Sequence, residues 1–399
     1  MKLTTLILTA TLATASLWAQ GRGAAVVSPE VSADGKVTFR LRAPNAKEVA
    51  VTGIGARLAM QKNEQGVWTA TTDALKPDIY AYSFSVDGAT FNDPCNPLLK
   101  SAYGNAGQSI VRVAAGTSPA WEPADGPRGI VSHHEFKSAL IGAERDYYVY
   151  TPPNYDPARR EAYPILFLLH GLGDYAAGWL NVGSASNILD NLINQGKAKP
   201  MIMVNTLGYG TPDGPTGAMG PNMIPTFAKS LVEEVLPRVE KAYHVTKDRN
   251  QRAIAGLSMG GAESLFTGLN YLDHFAYIGS FSGAFVMWPT ANPPAPAPAA
   301  AGNGGRGGGR GGAPQSRTAA DFEKIFPSLN AKANSQLKLV WIACGLDDTL
   351  LTVNRDFKTW LKSKDIAFTD VEVPGFAHVW PLWRQNLTDL APLLFQSKK

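Results

Sequence analysis

Arg252-Ala-Ile-Ala-Gly-Leu-Ser-Met-Gly-Gly-Ala-Glu-Ser-Leu-Phe-Thr-Gly-Leu269 joins a short apolar run to a helix-compatible run through a turn built mostly of small residues. Arg252–Ala255 has the length and composition of a buried strand, and Ala262–Leu269 can continue as a helix. Between them Gly256, Gly260 and Gly261 surround Ser258. A serine on such a strand-to-helix turn sits on tight, strained backbone with its hydroxyl exposed. Small neighbours are needed there because the helix and the adjacent strand crowd the bend. Ser258 is therefore a candidate nucleophile.

Strands and helices alternate on both sides of this turn. Pro164–Leu169 and Met201–Val204 are continuously apolar and of buried-strand length, and Tyr277–Phe281, Leu337–Ala343 and Phe368–Val373 are further strands. Such alternation predicts a mostly parallel sheet covered by helices on both faces. Between Thr226 and Tyr243 the residues Phe227, Leu231, Val232, Val235, Leu236 and Val239 recur at helical spacing, with Glu233, Glu234 and Arg238 off that face. Pro237 is expected to kink this helix.

A neutral hydroxyl is a weak nucleophile: a base must take its proton, and a carboxylate must hold that base in the right tautomer. Of six histidines, His378 in Pro374-Gly-Phe-Ala-His-Val-Trp380 directly follows a strand, where a loop can present it to the serine. His170 belongs to another loop, and His133, His134, His244 and His274 fall at surface or helix-end positions. Cys344-Gly-Leu-Asp-Asp-Thr-Leu350 also follows a buried strand and supplies Asp347 and Asp348. Adjacent residues seldom point the same way, so one should face the histidine and the other solvent; spacing does not choose between them. Serine, aspartate, histidine is the chain order of α/β-hydrolases. Leu168-Leu-His-Gly-Leu-Gly-Asp174 has the form of an oxyanion loop, in which the backbone N–H groups of Leu172 and Met259 would stabilise a negative oxygen.

A chain of 399 residues leads us to expect two domains. Residues 27–115 read as a small all-β sandwich, with period-two alternation in Val37–Arg42 and Tyr80–Val86 and a hairpin signal at Asp87-Gly88. Residues 116–130 form a proline-rich, semi-rigid linker, and residues 131–399 the α/β domain. Residues 290–317, rich in Ala, Pro and Gly, bury too little to offset their ordering entropy and are expected to be a disordered insertion. Residues 1–19 read as an export signal, which places the protein in the periplasm or outside the cell and leaves no stable membrane span after cleavage. The net charge is +4, and removing Lys2, Arg306, Arg310 and Arg317 leaves zero for the folded parts, which excludes nucleic acid as the partner. Cys95 and Cys344 fall in different domains, so no disulfide framework is expected, and Cys344 reads as a core residue. No metal-ligand spacing occurs, and no cofactor is called for.

From His134 to Leu394 the chain resembles the bacterial feruloyl and acetyl-xylan esterases of the first carbohydrate-esterase family, an esterase D-like group. The likeness rests on Arg145-Asp-Tyr-Tyr-Val-Tyr-Thr-Pro-Pro-Asn-Tyr155, His170-Gly171, Gly256-Leu-Ser-Met-Gly-Gly261, Gly345-Leu-Asp-Asp348 and Gly375-Phe-Ala-His-Val-Trp380. It implies an α/β-hydrolase fold, a serine mechanism, and Asp348 rather than Asp347 as the acid. Phe376-Ala377 departs from the paired glycines often found before that histidine. Ser28–Pro44 and Phe91–Pro94 resemble the immunoglobulin-like domains that precede the catalytic part of glycogen-branching enzymes and many feruloyl esterases. The implied substrate is a feruloylated or acetylated xylan-type polysaccharide or oligosaccharide. A siderophore trilactone esterase and a non-catalytic carbohydrate-binding protein are the alternatives. Trp179 and Trp380 are candidate substrate contacts. Trp68, Tyr80 and Tyr82 of the sandwich either stack on sugar or fill its core.

Overall fold

The computed structural model describes residues 25–100, 102, 107–114, 119–214, 220–289 and 316–396. The signal at 1–19 and residues 290–315 of the expected insertion lie outside them.

The first domain is two antiparallel sheets packed face to face. One carries, in spatial order, Glu30–Val31 (β1), Val37–Arg42 (β2), Val67–Thr71 (β6) and Gln61–Lys62 (β5). The other runs Leu58–Ala59 (β4), Val49–Thr52 (β3), Asp78–Val86 (β7), Gln108–Val113 (β10), Leu99–Lys100 (β9), with Ala89–Phe91 (β8) paired to β7. Asp87 and Gly88 close the β7–β8 hairpin with φ of 47° and 88°, the left-handed pair that this two-residue turn requires. Alternation in β2 buries Val37, Phe39 and Leu41 against Tyr82 and Phe84 of β7. Trp68 and Tyr82 are therefore core, not sugar platforms. The Trp68 indole donates to the Ala43 carbonyl, and the Tyr82 hydroxyl donates to Asp93. Tyr80 is half-buried and its hydroxyl donates to the Lys76 carbonyl.

The described part of the connector, residues 119–129, is bound along its length rather than acting as a spacer. An extended proline-rich segment leaves its carbonyls without sheet partners, and amides supply them. Asn187 and Asn191 donate to Trp121, Ala120 and Glu122, Asn194 donates to Pro127, and the Gly129 N–H donates to Asp190.

The second domain is built on an eight-stranded sheet in the order Ile130–Lys137 (β11), Glu144–Thr151 (β12), Ile202–Thr206 (β14), Ile165–Leu169 (β13), Arg252–Leu257 (β15), Tyr277–Phe281 (β16), Leu339–Gly345 (β17), Thr369–Val373 (β18). β11 and β12 are antiparallel additions, and β14 through β18 run parallel. The central strands β13, β14, β15 and β16 are buried on both faces of the sheet. In β13, Ile165, Phe167 and Leu169 enter one core while Leu166 and Leu168 enter the other. Met223–Ser230 (α3), Leu236–Ala242 (α4), Met259–Asn270 (α5), Ala319–Ile325 (α6) and Leu351–Ser363 (α7) cover the first face. Gly178–Asn181 (α1), Ala185–Asn194 (α2) and Trp380–Leu390 (α8) cover the second. This is the α/β-hydrolase fold, preceded by an all-β sandwich.

One expectation gains local detail and another is corrected. Pro237 is absorbed by a π turn, Leu231–Val235, after which α4 restarts with the proline in its first turn, where its missing N–H costs least. The insertion ends before residue 316. The Arg317 guanidinium donates to the Val286 and Trp288 carbonyls, and Ser316 and the Arg317 N–H bond Asp356. That arginine belongs to the folded part, so the folded parts carry one more positive charge than expected. Among the described residues no helix is long and apolar enough to cross a membrane.

Candidate active site

β13, β15, β17 and β18 are parallel, so the loops leaving their carboxyl ends gather at one edge of the sheet. The turn after β15 holds Ser258 at φ 52° and ψ −115°, a conformation that side chains other than glycine rarely take. Its N–H donates to Phe281, and its carbonyl accepts from Ala262 and Ala284, which fixes the bend from three directions. Glycine is needed at 260 because a Cβ there would lie 2.5 Å from the carbonyl oxygens of Leu169 and His170.

His378 follows β18 and Asp348 follows β17. The Ser258 Oγ lies 3.0 Å from His378 Nε2, and His378 Nδ1 lies 2.9 Å from Asp348 Oδ2. Asp348 is buried, and its other oxygen accepts from the Leu350 N–H. Burial raises this carboxyl, but the hydrogen bond and charge of His378, with the Leu350 N–H, outweigh that and hold it below its ordinary value. Asp347 is exposed, its backbone N–H spent on Phe376. In this line the hydroxyl can pass its proton to Nε2 while an ionised carboxylate keeps the other imidazole proton on Nδ1.

A Cβ at Gly171 would stand 3.4 Å from the Ser258 Cβ, so the loop after β13 lies against the serine. The N–H groups of Leu172, in that loop, and Met259, first residue of α5, donate to no other described residue. Two groups that sequence reasoning missed hold the loop. Gly208 donates its N–H to His170 Nε2, and His170 Nδ1 donates to the Gly171 carbonyl. Burial pushes His170 down to about 4, so this ring is a neutral strut rather than a base. The Tyr209 hydroxyl accepts from the Gly173 N–H and donates to the Asp174 carbonyl. Neither Gly208 nor Tyr209 lies in a motif, so the sequence carries no signal for them.

Trp179 does not line the site. It is fully buried, its indole donates to the Leu169 carbonyl, and its ring packs edge-on against Phe281 and Trp380. Trp380 is half-buried. Trp383, one turn along α8, was not singled out from the sequence. Its ring meets His378 edge-on at 4.9 Å, and its helical spacing from Trp380 was the available signal. Glu263, one turn along α5 from Met259, is fully buried, and neither carboxyl oxygen has a hydrogen-bond partner among the described residues. Burial pushes it well above the usual carboxyl range.

Residues 138–394 match the family model described as "Putative esterase". The chain belongs to this esterase family. Residues 23–101 match carbohydrate-binding module 48, the isoamylase N-terminal domain. An endo-1,4-beta-xylanase/feruloyl esterase of Xylanibacter ruminicola is 29% identical over 377 residues, which cover 92% of this esterase and 46% of that protein. This chain thus spans about half the length of that relative. A ferulic acid esterase of Anaeromyces mucronatus, solved with ferulic acid, superposes with a TM-score of 0.53 at 22% identity, covering 69% of this esterase and 93% of that chain. The enterobactin esterase of Shigella flexneri gives 0.59 at 19% identity, covering 89% and 93%. These two likenesses are of fold.

Proposed function

We propose that this esterase hydrolyses carboxylic esters through an acyl-enzyme on Ser258, with His378 as general base and Asp348 orienting the imidazole. The observation that carries the reading is the unbroken hydrogen-bonded line from a strained, half-exposed serine to a buried carboxylate. The Ser258 oxygen bonds to the ester carbonyl carbon as its proton passes to Nε2. The negative oxygen then faces the N–H groups of Leu172 and Met259. Collapse breaks the bond to the alcohol, which leaves with the imidazole proton. Water repeats the sequence and releases the acid.

The acyl group we assign is a hydroxycinnamate such as ferulate, carried on a xylan-type polysaccharide or oligosaccharide, and the protein is exported to reach it. Apolar side chains support an aromatic acyl group: exposed Leu172 in the oxyanion loop, exposed Val379 beside His378, and half-buried Trp380. The relatedness to a xylanase/feruloyl esterase points the same way. A siderophore ester is the second reading, favoured by a fold likeness to enterobactin esterase that extends over 89% of this chain. Against it, the stretches 170–174, 256–261, 345–350 and 374–380 contain no lysine or arginine to meet an anionic iron-catecholate. Methyl ferulate, an acetylated xylan oligosaccharide and a catecholate trilactone, assayed side by side, separate the readings. The feruloyl ester should win in kcat/KM by about tenfold or more, the scale on which an apolar pocket discriminates. A faster acetyl ester or trilactone overturns the acyl assignment.

A further inference from the structure

The sandwich reaches into the hydrolase domain at one buried cation. Arg384, in the second turn of α8, is 2% exposed. Its guanidinium is held from three elements: the Asp78 carboxylate at the start of β7, the Val182 carbonyl at 2.9 Å at the end of α1, and the Trp121 ring of the connector at 5.4 Å. The preceding residue, Trp383, presents its ring edge-on to His378 and packs 5.3 Å from Trp380. One stretch of α8 therefore carries both the interdomain ion pair and the plate against which the imidazole rests.

We propose that Asp78 is a positioning residue for the hydrolytic reaction, acting across the domain interface through Arg384 and Trp383 on His378; this rests on the serine reading above. The imidazole must hold Nε2 near Ser258 and Nδ1 near Asp348 at once, so its ring plane has little freedom. Among the described residues its hydrogen bonds and ring contact are to Ser258, Asp348 and Trp383, none of them in the sandwich. What the sandwich supplies is the negative charge that keeps Arg384 inside the protein. A guanidinium so deeply buried is tolerated only while paired. Without Asp78 it retains one carbonyl and one ring, and it regains hydration by drawing the start of α8 toward solvent. Trp383 moves with it, and the imidazole loses its backing. The sandwich is thereby part of the catalytic apparatus for small substrates too, independent of any sugar it binds.

The full chain is compared with Asp78→Asn, which keeps the shape and removes the charge, and Asp78→Glu, which restores it. Arg57→Gln, in a surface ion pair of the sandwich away from the interface, is the control. Active sites are counted with a fluorophosphonate, and kcat and KM are measured on 4-nitrophenyl acetate per titrated site, so unfolded protein does not enter the rate. Asp78→Asn should lower kcat per site about tenfold, less than the roughly hundredfold that a 1 Å misplacement costs. KM should change less than kcat, since Trp380 is the only proposed substrate contact that moves with α8 while Leu172 and the oxyanion N–H groups stay in place. Asp78→Glu should recover most of the loss, and Arg57→Gln should match the parent. Trp121→Leu, which removes the ring from the half-exposed connector, should shift kcat the same way and serves if Asp78→Asn does not fold. An unchanged kcat per titrated site in whichever of the two folds overturns the proposal, even if its melting temperature drops. A parent chain that takes no label overturns the serine reading itself.

Discussion

Replacing Glu263 by glutamine should make the protein more stable, by an amount that grows with pH. The side chain is fully buried on α5, and both carboxyl oxygens lack hydrogen-bond partners among the described residues. A Cβ at Gly208 would lie 2.9 Å from one of them, so the group is packed against backbone rather than water. Ionisation there would place an uncompensated charge in the core, which is why burial lifts the group well above its ordinary value of 4.5. The folded chain thus keeps a proton that the unfolded chain releases once pH exceeds that ordinary value. Stability is greatest below it and declines as pH rises, until the buried carboxyl itself ionises. The slope is about 1.4 kcal/mol per pH unit for one proton. Glutamine has the same shape and no titration, so the gap between variant and parent should widen by about 1.4 kcal/mol from pH 5 to pH 6. For a chain of 399 residues that is about 2 °C in Tm. Melting curves of both proteins, followed by circular dichroism at equal ionic strength across this range, measure the gap. A gap independent of pH would refute the reasoning, since it would mean the carboxyl ionises as readily inside the fold as outside it.

The two adjacent aspartates should behave differently on one aryl ester at fixed pH. Asp348→Asn should lower turnover by about 10³ to 10⁴, because the amide favours the wrong imidazole tautomer and cannot stabilise the imidazolium. Asp347→Asn removes only a screened, exposed charge and should change the rate by no more than about tenfold; a crippled Asp347→Asn would displace Asp348 from its assigned role. Excising residues 291–315 and bridging the gap with a short flexible linker should leave Tm nearly unchanged, because loop closure depends weakly on length. Arg317→Ala, at the edge of that excision, should by contrast cost about 1–3 kcal/mol by leaving the Val286 and Trp288 carbonyls without their donor. Equal melting temperatures for Arg317→Ala and the parent would refute the anchoring role given to its two hydrogen bonds.

Chemistry was legible in this sequence wherever it is tied to a strand end. Continuous apolar runs announce strands buried on both faces, and the loop leaving such a strand in a parallel sheet must emerge at the shared edge. Ser258 and Asp348 each lie just past one, and His378 lies just past the alternating edge strand Thr369–Val373, so three separate segments could be assigned to one site before any distance was known. The choice between Asp347 and Asp348 was not accessible by that route; it came from the family resemblance, and in the structure the buried member of the pair faces the imidazole. Aromatic residues were less legible. Composition cannot tell a tryptophan that lines a cleft from one that fills the core, and Trp179, Trp68 and Tyr82 all turn inward to satisfy their polar atoms on nearby groups. Supports that act through backbone were silent in the sequence: the Gly208 N–H and the Tyr209 hydroxyl brace the oxyanion loop from a segment with no motif. The connector's proline content suggests stiffness, whereas its carbonyls, accepting from Asn191, are what dock it onto α2.

The most direct test of the account is the fate of Ser258 during turnover. The chain is mixed with an excess of 4-nitrophenyl ester, quenched in acid within the first turnovers, digested, and read by mass spectrometry. The account predicts one acylated peptide, modified at Ser258, whose appearance matches a burst of nitrophenol. It also predicts that folded Ser258→Ala forms no adduct and that its turnover falls by about 10⁴ to 10⁶. An adduct at another residue, or a Ser258→Ala protein that retains more than about a tenth of the parent rate, would contradict it, since the loss of a triad nucleophile costs far more than that.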